Sequence, residues 1–169
     1  MSITSKRELF DRELQKLYHA EIEILDLHGD LADAAASDEV EAIFGGHEGD
    51  TVDQIDRIEA IFAALDMEPR EQGSPIMEGL LAEKDQFVLD VEDDDLRDLD
   101  VISIGMINER LEITLLDRLI LLADELGLPG PTVSNLQENR AEARTALERM
   151  QQFLEDRRRL VTCPLVAVE

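Results

Sequence analysis

Apolar residues return at three- and four-residue steps through four long stretches of the chain, a period that fits one face of an α-helix and no β-strand. The first stretch runs from Lys6 to about Ala36, where Leu14, Leu17, Ile24, Leu25 and Leu31 share a stripe with His28. Gly29 interrupts it at a cost of about 1 kcal/mol relative to Ala. Ser37 with Asp38 offers an N-cap for a second helix reaching about Leu65, striped by Val40, Phe44, His47, Thr51, Gln54, Ile58 and Phe62. Gly45, Gly46 and Gly49 weaken its first half, so a kink is expected there.

Residues 66 to 74 read as a loop, and Pro75 then opens a short helix to about Leu89 with proline in its first turn. Asp94 or Asp95 caps a third long helix that continues to Leu126 and stops at Gly127 and Pro129. A fourth begins near Thr132 or Ser134 and reaches about Leu160, with Leu136, Asn139 or Arg140, Ala143, Leu147 and Met150 on its stripe. The tail from Val161 to Glu169 is apolar enough to dock. Two long helices, a long connection carrying a short one, and two more long helices make the layout of a four-helix bundle with one crossover, the ferritin-like connectivity. An internal duplication supports it: Glu21 to Asp33 aligned with Glu112 to Asp124 agrees at seven of 13 positions, which makes the first and third long helices pseudo-symmetric partners.

Composition agrees with an all-α reading. Aromatics are 4%, Trp is absent and only five residues are proline, so a β-sandwich is disfavoured. The length of 169 residues suits one domain, with a core over about 6 to 160. Its 40 acidic against 16 basic residues give a formal charge of -24, which repels phosphate backbones and anionic lipid; neither nucleic acid nor membrane is an expected partner. Such self-repulsion destabilises a compact state in dilute buffer, and the pattern resembles proteins of salt-loaded cytoplasms. No stretch reaches the roughly 18 apolar residues of a membrane span, and no apolar run follows the basic residues near the N-terminus. A lone Cys163 reads as an inert thiol in a reducing compartment, so the expected location is the cytoplasm.

Three segments carry a family likeness: Glu-Leu-Gln-Lys-Leu-Tyr-His-Ala-Glu at 13 to 21, His47 with Asp-Gln-Ile-Asp-Arg-Ile-Glu at 53 to 59, and Met-Glu-Gly-Leu at 77 to 80. In this order they resemble the YciF-like, stress-associated branch of the ferritin-like superfamily. The resemblance implies a helical bundle that forms homodimers or larger homo-oligomers, with a di-metal site between its four helices.

Glu21 lies on the stripe of Leu14, Leu17, Ile24 and Leu25, where an apolar residue is expected, and Glu112 repeats the situation among Leu115, Leu116 and Leu119. A buried carboxylate costs several kcal/mol unless a cation or hydrogen bonds compensate, so two such residues facing each other suggest a bridged cation. Di-iron and di-manganese bundles add a Glu-x-x-His pair from each of two helices. That pattern is incomplete here: the second helix offers His47 and Gln54, the third adds Glu109 one turn before Glu112, and the fourth offers Glu138 and Glu142 one position off its stripe. The candidate ligands are therefore Glu21, His47, Gln54, Glu109, Glu112 and Glu138, for Fe or Mn in a degenerate site, with oxidation of Fe(II) by oxygen or peroxide as the chemistry analogous to the superfamily. The alternative is a metal-free structural or interaction bundle in which Arg110 or Arg140 pairs with a core glutamate. A third reading is association through an exposed face, with the glycine-rich start of the second helix and the tail as candidates. His19 is expected on the surface, and His28 as a hydrogen-bonded histidine at the core edge. No phosphate-cradling glycine loop, nucleophile elbow or zinc-type cysteine pair occurs, so no catalytic residue is assigned and enzyme activity stays open.

Overall fold

The computed structural model describes residues 2–162, and among them six α-helices and no strand occur. The first, α1, spans Lys6–Ala34 and starts on a reciprocal cap: the Glu8 N–H donates to Ser5 Oγ at 3.2 Å, and the Ser5 N–H donates to the Glu8 carboxylate at 3.0 Å. Ser37 caps α2, Asp38–Gly45, through the Val40 N–H. The expected single second helix is in fact two, because the backbone breaks at Gly46 and His47 before α3, Glu48–Ala64, begins. Tandem glycines there give the helix too little propensity to continue.

The crossover helix α4 is Pro75–Asp90, with proline at its first turn as expected. In α5, Asp94–Leu126, the cap is Asp93, one residue before the expected aspartates; its carboxylate accepts the Leu96 N–H at 3.1 Å. Gly127 ends α5 with φ 62°, a left-handed conformation that glycine adopts without a Cβ clash. The last helix, α6, spans Gly130–Thr162 and so starts slightly earlier than the sequence suggested. Most of the tail, from Cys163 onward, lies outside the described residues.

Four long helices form a ring in which α1 packs on α3 and α5, and α6 packs on the same two. Their directions follow from the core. One apolar cluster gathers Leu14, Leu17, Ile58, Ile61, Leu116 and Leu136; the other gathers Ile24, Leu27, Phe44, Ile102 and Met150. The chain runs from the first cluster to the second along α1 and α6, and from the second to the first along α2–α3 and α5. Helices α1 and α3 are therefore antiparallel, α5 and α6 likewise, and the parallel step from α3 to α5 needs the crossover that α4 supplies. Glycine matters where α2 meets α5: a Cβ on Gly105 would stand 2.6 Å from the Phe44 ring and 2.9 Å from Met150 Sδ. Asp98 of α5 also ties down the α1–α2 corner by accepting the Ala36 N–H at 2.8 Å.

Candidate functional site

Between the two apolar clusters lies a polar layer to which every long helix contributes. Helix α1 supplies Glu21 and His28, α3 and its N-cap supply His47, Thr51 and Gln54, α5 supplies Glu109 and Glu112, and α6 supplies Asn139. All are buried, with Glu21 at 0% and Glu112 at 2% exposure. The helical stripe accounts for this: Glu21 falls between Leu17 and Ile24, and Glu112 lies one turn before Leu116.

Neither core glutamate has a cation of its own. No hydrogen-bond donor reaches either oxygen of Glu21 or Oε1 of Glu112. Burial, and then the nearby Glu109, pushes the Glu21 carboxyl up to about 8; burial, Glu21 and Glu109 hold Glu112 well above the usual carboxylate range. Glu13 provides the contrast. It is equally buried, yet Arg12 lies 2.6 Å away, Arg118 3.1 Å and Lys16 3.8 Å. Glu13 is surrounded by cations; Glu21 and Glu112 are not.

The imidazoles stand beside the carboxyl pair. His28 Nε2 lies 3.6 Å from Glu109 Oε1, and the His28 and His47 ring centroids are 5.4 Å apart. Neither His28 nitrogen has a hydrogen-bond partner, nor does His47 Nε2. His47 Nδ1 lies 3.7 Å from Asp50, but burial, and then His28, pushes its pKa down to about 4, so the ring is neutral at pH 7. His28, His47, Glu109 and Glu112 line a cavity of about 10 Å³, room for roughly one water-sized body.

Of the residues singled out in the sequence, Glu21, His47, Gln54, Glu109 and Glu112 come together in this layer, and Glu138 does not. Its carboxylate is exposed and pairs with Arg57 at 3.6 Å. Arg57 also pairs with Glu142 and donates to Asn139 Oδ1 at 2.5 Å, while the Asn139 amide donates to the Gln54 carbonyl at 3.2 Å. The arginines considered as substitutes for a cation face elsewhere. Arg140 pairs with Asp117 at 2.7 Å, and Arg110 donates to the Met106 carbonyl of its own helix at 3.4 Å. His28 is not the hydrogen-bonded histidine expected; it is a buried ring with unpartnered nitrogens, seven residues beyond Glu21 on the same face, and that spacing could have revealed it. His19 is half-buried rather than free on the surface, and bonds Glu71 at 3.1 Å.

Among the described residues no three His, Cys, Asp or Glu side chains stand as a ready-made coordination group. The donors nevertheless fit a divalent cation chemically. Carboxylate oxygens and neutral imidazole nitrogens suit iron and manganese, and these particular atoms are buried without partners.

Two antiparallel helix pairs joined by one crossover, with carboxylates and imidazoles across the middle of the core, define the ferritin-like class of four-helix proteins. The chain belongs to the family described as a domain of unknown function, DUF892, which matches residues 5–160. Among solved structures, YcfI of Rhodopseudomonas palustris superposes with a TM-score of 0.85 at 25% identity, over 89% of this chain and 95% of that one. The E. coli stress protein YciF gives 0.84 at 23% identity over the same shares. No curated protein sequence matches the chain. The likeness to the YciF-like branch read from the sequence is thereby borne out, as is the all-α bundle. Among the described residues no helix is long and apolar enough to cross a membrane.

Proposed function

We propose that this protein is a stress-associated member of the ferritin-like class that binds an iron-type divalent cation in its polar layer. Glu21 and Glu112 would hold the cation, with Glu109, His28 and His47 as further ligands. One observation carries the reading: six buried donor atoms, two on Glu21, one on Glu112, two on His28 and one on His47, have no hydrogen-bond partner. A fold that left them so without return would lose about 1–3 kcal/mol for each unsatisfied group. Bound iron would supply one-electron chemistry toward oxygen or peroxide. The chain's own residues do the rest. The raised pKa of the α1 and α5 carboxyls keeps them protonated until a cation displaces the protons, the low pKa of His47 keeps its lone pair available at neutral pH, and the flanking apolar clusters keep bulk water out.

Anaerobic Fe(II) titration of chelator-treated protein tests the reading. Stoichiometric uptake by the wild type, with a clearly weaker affinity in Glu21→Gln, is the expected result. No uptake by the wild type, or undiminished affinity in the variant, would overturn it.

A further inference from the structure

The layer is closed to solvent over most of its perimeter, so how a cation reaches it is a separate structural question. On the outer side of His28 the surface opens into a groove of about 560 Å³ between α1 and α2. Asp26, Asp30 and Asp33 stand on its rim, and Gly29, Phe44 and Gly45 form part of its wall. His28 lines both this groove and the inner cavity that holds Glu109, Glu112 and His47. The ring is 4% exposed, and both its nitrogens lack partners. An acidic rim alone would mean little; an unpartnered, buried imidazole set between that rim and a buried carboxylate site gives it a destination.

Two further features bear on this groove. A Cβ at Gly29 or Gly45 would meet nothing within 4 Å, and neither residue has the positive φ that would require glycine. Gly29 thus weakens α1 by about 1 kcal/mol relative to Ala with no packing or backbone reason, and it presents no side chain to the groove it lines. The second feature is charge. Lys84 pairs with Asp30 at 2.5 Å, while among the described residues Asp26 and Asp33 have no salt bridge. A second opening, about 280 Å³ between α3 and α6, also reaches His47, but Arg57 holds its Glu138 and Glu142, and Arg149 stands on its rim. With Asp50 it keeps a net negative charge, but a smaller one than the α1–α2 groove, and it attracts cations less.

We infer that the α1–α2 groove is the entry port for divalent cations, with His28 passing the ion from the Asp26 and Asp33 rim to Glu109. The inference rests on the cation site proposed above. His28 is the handover point because the same imidazole borders both compartments, and turning its ring exchanges which nitrogen faces which.

Stopped-flow mixing of the full chain with Co(II), followed by cobalt absorbance, separates entry from affinity. KCl is varied over the range in which circular dichroism reports an intact fold. Asp26→Asn combined with Asp33→Asn is expected to slow association roughly five- to tenfold at the lowest salt, the difference shrinking as salt rises. Gly29→Leu fills the groove while improving helix propensity, so it should fold at least as well as the wild type and slow association roughly tenfold at every salt concentration. Equilibrium stoichiometry and Kd should stay within about twofold of wild type in both. Thr145→Leu, at the other opening, should associate at the wild-type rate. Normal rates in both groove variants, or slow entry only in Thr145→Leu, would overturn the port and leave the site standing. A wild type that binds no Co(II) at equilibrium would overturn both.

Discussion

Replacing Glu21 by Gln removes a titratable group while keeping its shape, and the structure fixes the consequence for stability against pH. Burial and Glu109 raise the folded carboxyl from 4.5 to about 8. Between those values the unfolded chain has released a proton that the native chain still holds, so the metal-free wild type weakens as pH rises. The stability contributed by the neutral carboxyl is complete below about pH 4.5 and is lost progressively up to about pH 8. At about 1.4 kcal/mol per pH unit the whole interval amounts to roughly 5 kcal/mol. Glu21→Gln has no such interval, although Glu112 still titrates in it. The variant should therefore gain on the wild type by about 1.4 kcal/mol per pH unit between about pH 5 and pH 8. Urea denaturation followed by far-ultraviolet circular dichroism, with chelator and molar KCl to screen the acidic surface, measures this difference directly. Stability curves for the two proteins that run parallel across this range would refute the reasoning.

Other outcomes follow from the same structure. Gly105→Ala drives a methyl into the Phe44 ring and should destabilise the fold by about 1–3 kcal/mol; a neutral effect in chemical denaturation would mean that α2 can move away freely. Asp98→Ala strips the acceptor from the Ala36 N–H at the α1–α2 corner and should cost about 1–3 kcal/mol, which an unchanged urea midpoint would contradict. With a formal charge of -24, the melting temperature should rise between dilute buffer and molar KCl, and a flat profile would remove self-repulsion as a factor in its stability.

The fold was legible because helical periodicity is carried by many residues at once. Loss of the stripe at any one position leaves the rest, and the break at Gly46 changed one long helix into two without moving Phe44 or Gln54 off the core face. The pair Glu21 and Glu112 was legible for the same reason: a carboxylate in a leucine stripe has few places to point. His28 was misread because a single histidine on an apolar face carries no mark of whether a partner awaits it. Only the arrangement of α1 against α5 reveals that its neighbour is another buried acid, Glu109. The arginines were misread because spacing along a helix places a side chain on a face but does not say whether its long stem turns inward or out. Arg140 turns to Asp117 on α5, while Arg57, off the stripe of α3, bridges to α6. Glu138 lies outside the layer by one helical position, about 100° of rotation, which carries it to solvent.

If the protonated Glu21 and Glu112 stand where a cation belongs, binding a cation must displace their protons. Calorimetric titration of Mn(II) into chelator-treated protein near neutral pH, in two buffers of different ionisation enthalpy, counts the protons exchanged. The account predicts release of roughly one to two protons per bound cation, falling by about one in Glu21→Gln along with a weakened affinity. Binding that releases no proton, or that is unaffected by the substitution, would contradict it.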